Sequence, residues 1–325
     1  MEKFIISSNL GGISNRIKCL VSMLRFSKEN GRKVLLYWPL NHTCGAKFSD
    51  LFENNVEEID ANFLKKINSK NTKVIEENLI FIKDYPQKYL INRTWRFLLT
   101  KEEFGENSFL KNRRESNEKG IDLNFSDVPE EVKRSIVSYL KKIKPHETVR
   151  EAIDNFQRKQ NLGEMVGIHI RRGDFADRKV SPGMVSSDEK FIRRMKELIK
   201  EDSKITFFLS TDSEEIERKF ENEFGSRIIK YPKTNFIRTN VKATQEGLID
   251  LLLLSKTKHI IGTYRSTFTE MAWWFGDCKA KIEIVKDIKK EQEYFRNVEQ
   301  DKKRRIPKIK KIILKVLRLK RKNTL

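Results

Sequence analysis

The feature of the sequence that most restricts its fold is a regular alternation of short apolar segments and amphipathic segments between residues 163 and 285. Apolar runs such as "ITFFLS" and "HIIGT" are each followed by a stretch with the 3.6-residue periodicity of a helix. Strands that alternate with helices form a parallel sheet with helices on both faces. Such sheets bind ligands where their strands end. We therefore look for functional residues at strand ends.

The N-terminal segment predicts a second unit of the same kind. The apolar run "FIISS" leads through a glycine loop into a helical pattern that ends at Gly31, and "KVLLYWP" follows as the next strand. We expect two α/β domains that face a cleft. Their predicted bounds are 1–150 and 151–290, followed by a basic tail over 291–325.

The charge of the chain is concentrated at its C-terminal end. The formal net charge is +21, but 12 Lys and Arg residues and no acidic residue lie between Lys302 and Leu325, so that 55 basic and 46 acidic residues, or +9, remain for positions 1–301. This distribution argues against a nucleic-acid-binding body, and we find no recognised nucleic-acid module. A non-enzymatic binder of anionic polymers is kept as an alternative.

The tail has apolar residues on one stripe between lysines and arginines, after Pro307 at a helix start. This pattern predicts a basic amphipathic helix on an anionic membrane surface, and a solvated basic end is the alternative. No segment has the length of a membrane span or a signal peptide, and the cysteines are few and far apart. We expect a cytoplasmic protein, peripheral at the inner face of the membrane, or a lumenal domain separated from its anchor. The stripe consists of Ile309, Ile312, Ile313, Val316 and Leu317.

The segment "GIHIRRGDF" is an apolar strand that ends in charged residues. Side chains two residues apart on a strand project to the same side, so His169 and Arg171 point together where the strand ends. Arg171 and Arg172 suit two-point contacts with phosphate. The alternative is a charged strand end in which the arginines face solvent or pair with Asp174.

Two further segments predict anion sites at helix starts. Gly11 and Gly12 in "GGISN" lead into a helix, whose first N–H groups and dipole attract phosphate. In "GTYRSTF" a helix starts at Ser266 or Thr267, which adds a hydroxyl to the same arrangement. An ordinary tight turn and a plain N-cap are the alternatives.

Asp250 lies in the apolar helical segment "LIDLLLLS", where a carboxylate needs a partner. That partner is solvent at a helix edge, a neighbouring arginine, or a ligand with paired N–H donors. The N1–H and N2–H₂ edge of guanine is such a ligand.

Together, "GGISNRI", "HIRRGD" and the pair of Asp250 and Ser266 resemble the motifs of the fucosyltransferase superfamily, which includes α-1,2-, α-1,6- and protein O-fucosyltransferases. The resemblance covers about residues 10–55 and 163–276. It implies a GT-B-like fold of two Rossmann-like α/β domains. It also implies an inverting glycosyltransferase that moves fucose from GDP-fucose to a glycan or glycolipid. The chain has no Asp-x-Asp, so we expect no metal and no cofactor.

The resemblance also implies roles for single residues. His169 and Asp250 would hold guanine, and Arg171 with Ser266 would bind the diphosphate. Asp174 is a candidate base for the acceptor hydroxyl. We predict catalytic roles for Arg171, Asp174 and Asn15. The predicted nucleotide-sugar contacts are Gly11, Gly12, Asn15, Arg16, His169, Arg171, Arg172, Asp212, Asp250, Arg265, Ser266, Thr267 and Phe268.

Two points of the resemblance stay open. Arg265 stands where many relatives carry Ser, and a third cation there would alter the phosphate contacts. The guanine assignment rests on Asp250 and His169, so a transferase of the same fold with a UDP- or ADP-sugar donor is an alternative.

Overall fold

The computed structural model shows two parallel β-sheets, each flanked by helices, as the alternation of segments predicts. Asp174 and the predicted tail helix lie outside the described residues. The structure describes residues 2–75, 85–94, 97–98, 128–173, 185–294 and 296–297.

The N-terminal sheet has four parallel strands in the order β2-β1-β4-β3. Helix α1 joins the first two strands and ends at Gly31, whose φ of 58° is left-handed. Asp60 caps the start of helix α2, and its side chain accepts a hydrogen bond from the N–H of Phe63. The elements are β1 (Phe4–Ser7), α1 (Ile13–Asn30), β2 (Lys33–Leu36), α2 (Ala61–Lys66), β3 (Thr72–Ile75) and β4 (Tyr89–Asn92).

Two helices connect this sheet to the next one along the chain. Helix α3 (Glu130–Leu140) packs against α1, and helix α4 (Glu147–Gln157) packs against a helix of the second sheet. Both helices bury one apolar stripe, with Val132 and Ile136 on α3. Because helix α4 spans Glu147–Gln157, it includes position 150, where the sequence predicts the domain boundary.

The second sheet has five parallel strands in the order β7-β6-β5-β8-β9. The first strand of this domain lies in the centre, so the direction of winding reverses between β5 and β8. A crevice at such a switch point is where doubly wound sheets bind nucleotides. The strands are β5 (Val166–Ile170), β6 (Phe207–Thr211), β7 (Ile228–Ile229), β8 (His259–Thr263) and β9 (Lys281–Val285).

Helices cover both faces of the second sheet. Phe207 and Leu209 of β6 face one apolar cluster and Phe208 faces another, as the period of a strand requires. Ile168 belongs to the same cluster as Phe207. The helices are α5 (Asp188–Glu201), α6 (Glu214–Phe224), α7 (Val241–Leu254) and α8 (Thr267–Phe275).

The two domains share a core and make close polar contacts. Side chains of α1 and α8 lie in the same apolar cluster. Within it, Lys18 Nζ of α1 lies 2.7 Å and 2.6 Å from the two carboxylate oxygens of Glu270 of α8. A Cβ on Gly45 would lie 2.2 Å from the backbone of Thr239, so this approach requires glycine.

The predicted elements occur in the predicted order, with different ends. Strand β2 ends at Leu36, before the predicted end at Pro39, and β7 has two residues. Helix α7 begins at Val241, earlier than the predicted segment, because the Asn240 side chain accepts a hydrogen bond from the N–H of Ala243.

Candidate functional site

The carboxyl ends of β5 and β8 are locked to each other at the switch point. The hydroxyl of Thr263, the last residue of β8, donates to the carbonyl of His169 at 3.0 Å and accepts from the N–H of Arg171 at 3.0 Å. This pair of bonds fixes the direction in which the chain leaves β5. The predicted residues after His169 are therefore held at the mouth of the crevice.

His169 is buried and neutral. Its ring stacks on Phe268 with centroids 4.6 Å apart, and its Nδ1 lies 2.8 Å from the hydroxyl of Thr269. Burial, reinforced by the nearby arginines, lowers the pKa of His169 to about 3. His169 therefore offers a neutral ring at the crevice across the physiological pH range.

Arg172 is held by the protein itself. Its Nε and Nη2 donate to Asp188 Oδ1 at 3.0 Å and 2.5 Å, Nη2 donates to the carbonyl of Ser186 at 2.7 Å, and Nη1 donates to the carbonyl of Arg171 at 2.8 Å. All three guanidinium nitrogens thus have protein acceptors. Arg172 therefore shapes the strand end, while the backbone N–H of Arg171 is held by Thr263 at the mouth of the crevice.

Asp212 lies directly after β6, beside the end of β5. Its Oδ1 accepts the N–H groups of Arg172 and Gly173 at 2.7 Å and 3.1 Å, and its Oδ2 pairs with Arg238. Burial alone would raise the pKa of Asp212, but the guanidiniums of Arg171 and Arg238 hold it below the ordinary value. Asp212 is therefore an anion that orders the cations around the crevice.

Asp250 is buried and paired, but with a lysine instead of the arginine considered from sequence. Its Oδ2 lies 2.9 Å from Lys233 Nζ and accepts the hydroxyl of Ser210 at 3.1 Å. Its buried Oδ1 makes no hydrogen bond within the described part of the chain. Burial raises the pKa of Asp250 to about 6 against the opposing charge of Lys233.

Asp250 and His169 share one face of the sheet. Ser210 of β6 is the register partner of His169 on β5, and register partners on adjacent strands point to the same side. Since Ser210 contacts Asp250, the structure places the carboxylate of α7 on the side of the sheet to which His169 points. The two residues predicted to hold guanine are thereby brought to one region.

The start of α8 has a buried hydroxyl, that of Ser266, without a hydrogen-bond partner among the described residues. Ser266 is the N-cap residue, but its side chain makes no cap bond. Thr267 and Phe268 form the first turn. A buried hydroxyl without a partner is costly, so a bound polar group is its expected complement.

Arg265 has an unusual backbone conformation and its side chain contacts Tyr294. Its φ of 59° is left-handed, which is uncommon for a residue with a Cβ. Its Nη1 donates to the hydroxyl of Tyr294 at 2.8 Å, and its guanidinium lies 5.3 Å from the centre of that ring. The backbone strain fits a turn whose geometry is imposed by the site.

The glycine loop after β1 is built around backbone contacts. Gly11 donates its N–H to Asn9 at 2.8 Å, and a Cβ on Gly11 would lie 2.7 Å from Asn15 Nδ2. Gly12 precedes α1 without a side-chain cap, and nothing lies closer than 3.9 Å to a Cβ there. The close approach of Asn15 thus explains why position 11 is glycine, but no such contact explains the glycine at position 12.

Arg16 and Asn15 differ in their surroundings. Arg16 is buried, donates to the carbonyls of Gly11 and Pro39 at 2.7 Å and 2.9 Å, and lies 5.0 Å from the ring centre of Trp38. This arrangement ties the loop to the domain core. The Oδ1 of Asn15 is buried without a hydrogen-bond partner among the described residues, as Ser266 Oγ is.

Among the described residues, no group of three or more His, Cys, Asp and Glu side chains is arranged to hold a metal ion. The helices in this part of the chain are all too short or too polar to cross a membrane.

The model of the family described as Nodulation protein Z (NodZ) matches residues 1–272 of this chain. The chain belongs to the NodZ family. The match includes the glycine loop, the H-x-R-R-x-D segment and the start of α8. Membership of the fucosyltransferase superfamily is thus confirmed, and with it the assignment to the glycosyltransferase class of enzymes.

Solved structures share the fold of this NodZ family member. A crystal structure of NodZ α-1,6-fucosyltransferase soaked with GDP-fucose has a TM-score of 0.54 and 15% identity, and covers 85% of this chain and 93% of the other. An Arabidopsis thaliana FUT1 mutant in complex with GDP has a TM-score of 0.54 and 12% identity, and covers 87% of this chain and 70% of the other. The predicted GT-B-like fold is confirmed.

A curated relative matches over a shorter stretch. The GDP-fucose protein O-fucosyltransferase 2 of Drosophila melanogaster is 28% identical over 112 residues, which are 33% of this chain and 22% of the relative. The match thus spans about a fifth of that protein.

The sequence interpretation missed two charged residues of the site, Lys233 and Arg238. Both lie in the loop between β7 and α7, where neither periodicity nor a motif marks them. The signal that could have found Lys233 is the carboxylate of Asp250 in an apolar helix, which requires a cation. For Arg238 the sequence contains no such signal.

Proposed function

We propose that this NodZ family member transfers fucose from GDP-fucose to the hydroxyl of a glycan or glycolipid, with inversion and without a metal. The observation that carries the proposal is the convergence at the switch point of Arg171, whose N–H is bound by Thr263, with the start of α8 and the Ser266 hydroxyl, which has no hydrogen-bond partner among the described residues. This arrangement suits a diphosphate. The NodZ structure soaked with GDP-fucose and the FUT1 mutant bound to GDP are similar in fold and support the choice of donor.

The diphosphate is the leaving group, and negative charge grows on it as the bond to the sugar breaks. The guanidinium of Arg171 and the N–H groups at the start of α8 would stabilise that charge, since they are already in place before the reaction. The Ser266 hydroxyl would donate to a phosphate oxygen. The start of α1, with Asn15 beside it, would face the β-phosphate and sugar from the other domain.

Guanine recognition would use the free oxygen of Asp250. Its Oδ2 is occupied by Lys233 and Ser210, so Oδ1 is the acceptor left for a guanine N–H. His169, neutral and stacked on Phe268, would contact the base from the adjacent strand. We propose Asp174 as the base that takes the proton of the acceptor hydroxyl, a role that awaits its own test by Asp174→Asn.

Calorimetry with GDP, UDP and ADP, each with and without EDTA, tests the donor and the absence of a metal. We expect GDP to bind, UDP and ADP to bind at least about 10-fold more weakly because they lack the N1–H and N2–H₂ pair, and EDTA to have no effect. Loss of GDP binding or of transfer in EDTA would refute metal independence. Tighter binding of UDP or ADP would favour the alternative of a transferase with another nucleotide-sugar donor. That alternative is compatible with the site, because Lys233 and Ser210 already bind Oδ2 of Asp250.

We further propose that the basic tail holds the enzyme at an anionic membrane surface. The 12 Lys and Arg residues from Lys302 to Leu325 support this proposal. Each contributes about 1 kcal/mol near such a surface. Deletion of 302–325 should leave GDP binding intact and reduce sedimentation with phosphatidylserine vesicles, most clearly at low salt. Unchanged sedimentation would contradict this role.

A further inference from the structure

The H-x-R-R segment supplies one guanidinium to the crevice and uses the other internally. Four of the five guanidinium N–H groups of Arg172 donate to Asp188 and to the carbonyls of Ser186 and Arg171. A diphosphate that becomes a leaving group gains charge on several oxygens, and a second guanidinium would stabilise that charge further. The structure offers another candidate.

Arg238 brings its guanidinium to the same edge of the sheet. Its Nη2 pairs with Asp212 Oδ2, and a Cβ on Gly173 would lie 3.1 Å from that Nη2 and 2.5 Å from Oδ2. Glycine at position 173 is therefore what lets the pair lie against the end of β5. Its pairing with Asp212, whose Oδ1 accepts the N–H groups of Arg172 and Gly173, places it beside the end of β5. Its side chain keeps 26% of its surface exposed.

Asp212 is held by contacts other than the one with Arg238. Its Oδ1 is fixed by the two N–H groups of Arg172 and Gly173, and its Oδ2 pairs with Arg238. A phosphate can therefore replace Oδ2 as the partner of Arg238 while the strand end stays unchanged. A diphosphate carries more charge than a carboxylate and can accept a two-point contact from a guanidinium.

The backbone of Arg238 lies where the domains meet. The hydroxyl of Thr244 donates to the carbonyl of Arg238 at 3.2 Å and accepts from the N–H of Gly45 of the other domain at 3.4 Å. Thr239 touches Gly45 directly. The backbone at Arg238 is thus held where the domains meet by contacts that do not involve Asp212.

We propose that Arg238 is a donor-binding residue that exchanges Asp212 for the diphosphate and acts there with Arg171. The proposal rests on the proposed function in so far as the donor is a nucleoside diphosphate sugar. It assigns the second diphosphate cation to the loop between β7 and α7, outside the H-x-R-R segment.

Calorimetry of Arg238→Ala, Arg238→Lys and the wild type with GDP and with guanosine tests the proposal. We expect Arg238→Ala to weaken GDP by about 10-fold to 100-fold, the range of a bond to a charged group, and to leave guanosine affinity unchanged. Arg238→Lys keeps the charge and should lose less. Arg218→Ala, at a side chain that is 69% exposed on α6, is the matched control and should match the wild type.

Unchanged GDP affinity in Arg238→Ala, or equal losses for GDP and guanosine, would overturn the proposal, since the second result indicates a structural role. If melting shows that Arg238→Ala is unfolded, the GDP-to-guanosine ratio of Arg238→Lys decides in its place. A wild type that binds UDP or ADP in preference to GDP overturns the proposed donor, and Arg238 is then judged with that nucleotide and its nucleoside. A wild type that binds no nucleoside diphosphate overturns both.

Discussion

The buried ion pair of Lys18 and Glu270 between the two domains leads us to predict a large loss of stability in Glu270→Gln. Lys18 and Glu270 are 0% and 2% exposed at their side chains, and Lys18 Nζ contacts both carboxylate oxygens at 2.6 Å and 2.7 Å. The substitution keeps the shape of the side chain but leaves an uncompensated charge in the core. Breaking a buried pair in this way costs about 3–5 kcal/mol.

This loss is a large part of the roughly 5–15 kcal/mol that stabilises a typical domain. With about 2 °C per kcal/mol for a chain of this size, the melting temperature should fall by about 6–10 °C. Calorimetry or urea titration measures the change. Lys18→Met together with Glu270→Gln removes the charge and keeps the acceptor for Trp274 Nε1, which donates to Glu270 at 3.3 Å. The double variant should recover more than half of the loss.

Glu57→Gln is the control, because Glu57 pairs with Lys33 at 2.7 Å but both side chains are about half exposed, 52% and 50%. Its melting temperature should match the wild type. If Glu270→Gln loses no more stability than this control, or if the double variant is as unstable as Glu270→Gln, the pair does not hold the domains together as we argue.

Three further predictions concern the site. Ser266→Ala should weaken the binding of GDP about 3-fold to 10-fold. Its melting temperature should change little, because the Oγ of Ser266 makes no cap bond. The control is Ser213→Ala, which removes a cap bond to Ile216 and should lower the free energy of unfolding by about 1 kcal/mol without changing GDP binding. The pKa of Asp250 is raised from 3.8 to about 6, so ionisation of this side chain lowers the free energy of unfolding as the pH rises through that window. The ionised carboxylate accepts a guanine N–H more strongly than the protonated acid does. The affinity for guanosine, which lacks the phosphate of GDP that titrates at about pH 6, should therefore rise from pH 5 to pH 7 in the wild type and stay flat in Asp250→Asn, while a flat wild-type profile would refute the guanine contact. Arg171→Lys should lower turnover on the order of 10²-fold, more than it lowers the affinity for GDP-fucose. Arg172→Lys should mainly lower the melting temperature, because it weakens the contacts with Asp188. Two near-normal enzymes would mean that neither arginine has these roles.

The sequence determined the elements of this protein because local patterns encode them. Alternating apolar segments predicted the strands from β5 to β9, and helix ends followed from Gly31, Ser213 and Gly225. These signals are carried by neighbours within a few residues, where periodicity and caps act. The motif at His169 was found in the same way.

The tertiary structure alone decided which charges meet. Lys18 and Glu270 are 252 positions apart, and Arg238 and Asp212 are 26 positions apart in different elements. A side chain in a loop has no period that marks its partner, so the sequence cannot distinguish Arg238 from an exposed arginine such as Arg218. Burial and pairing arise only when the sheets and helices pack. For that reason the sequence predicted where the crevice lies, while the fold determined that Arg172 is bound by Asp188 and that Arg238 pairs with Asp212.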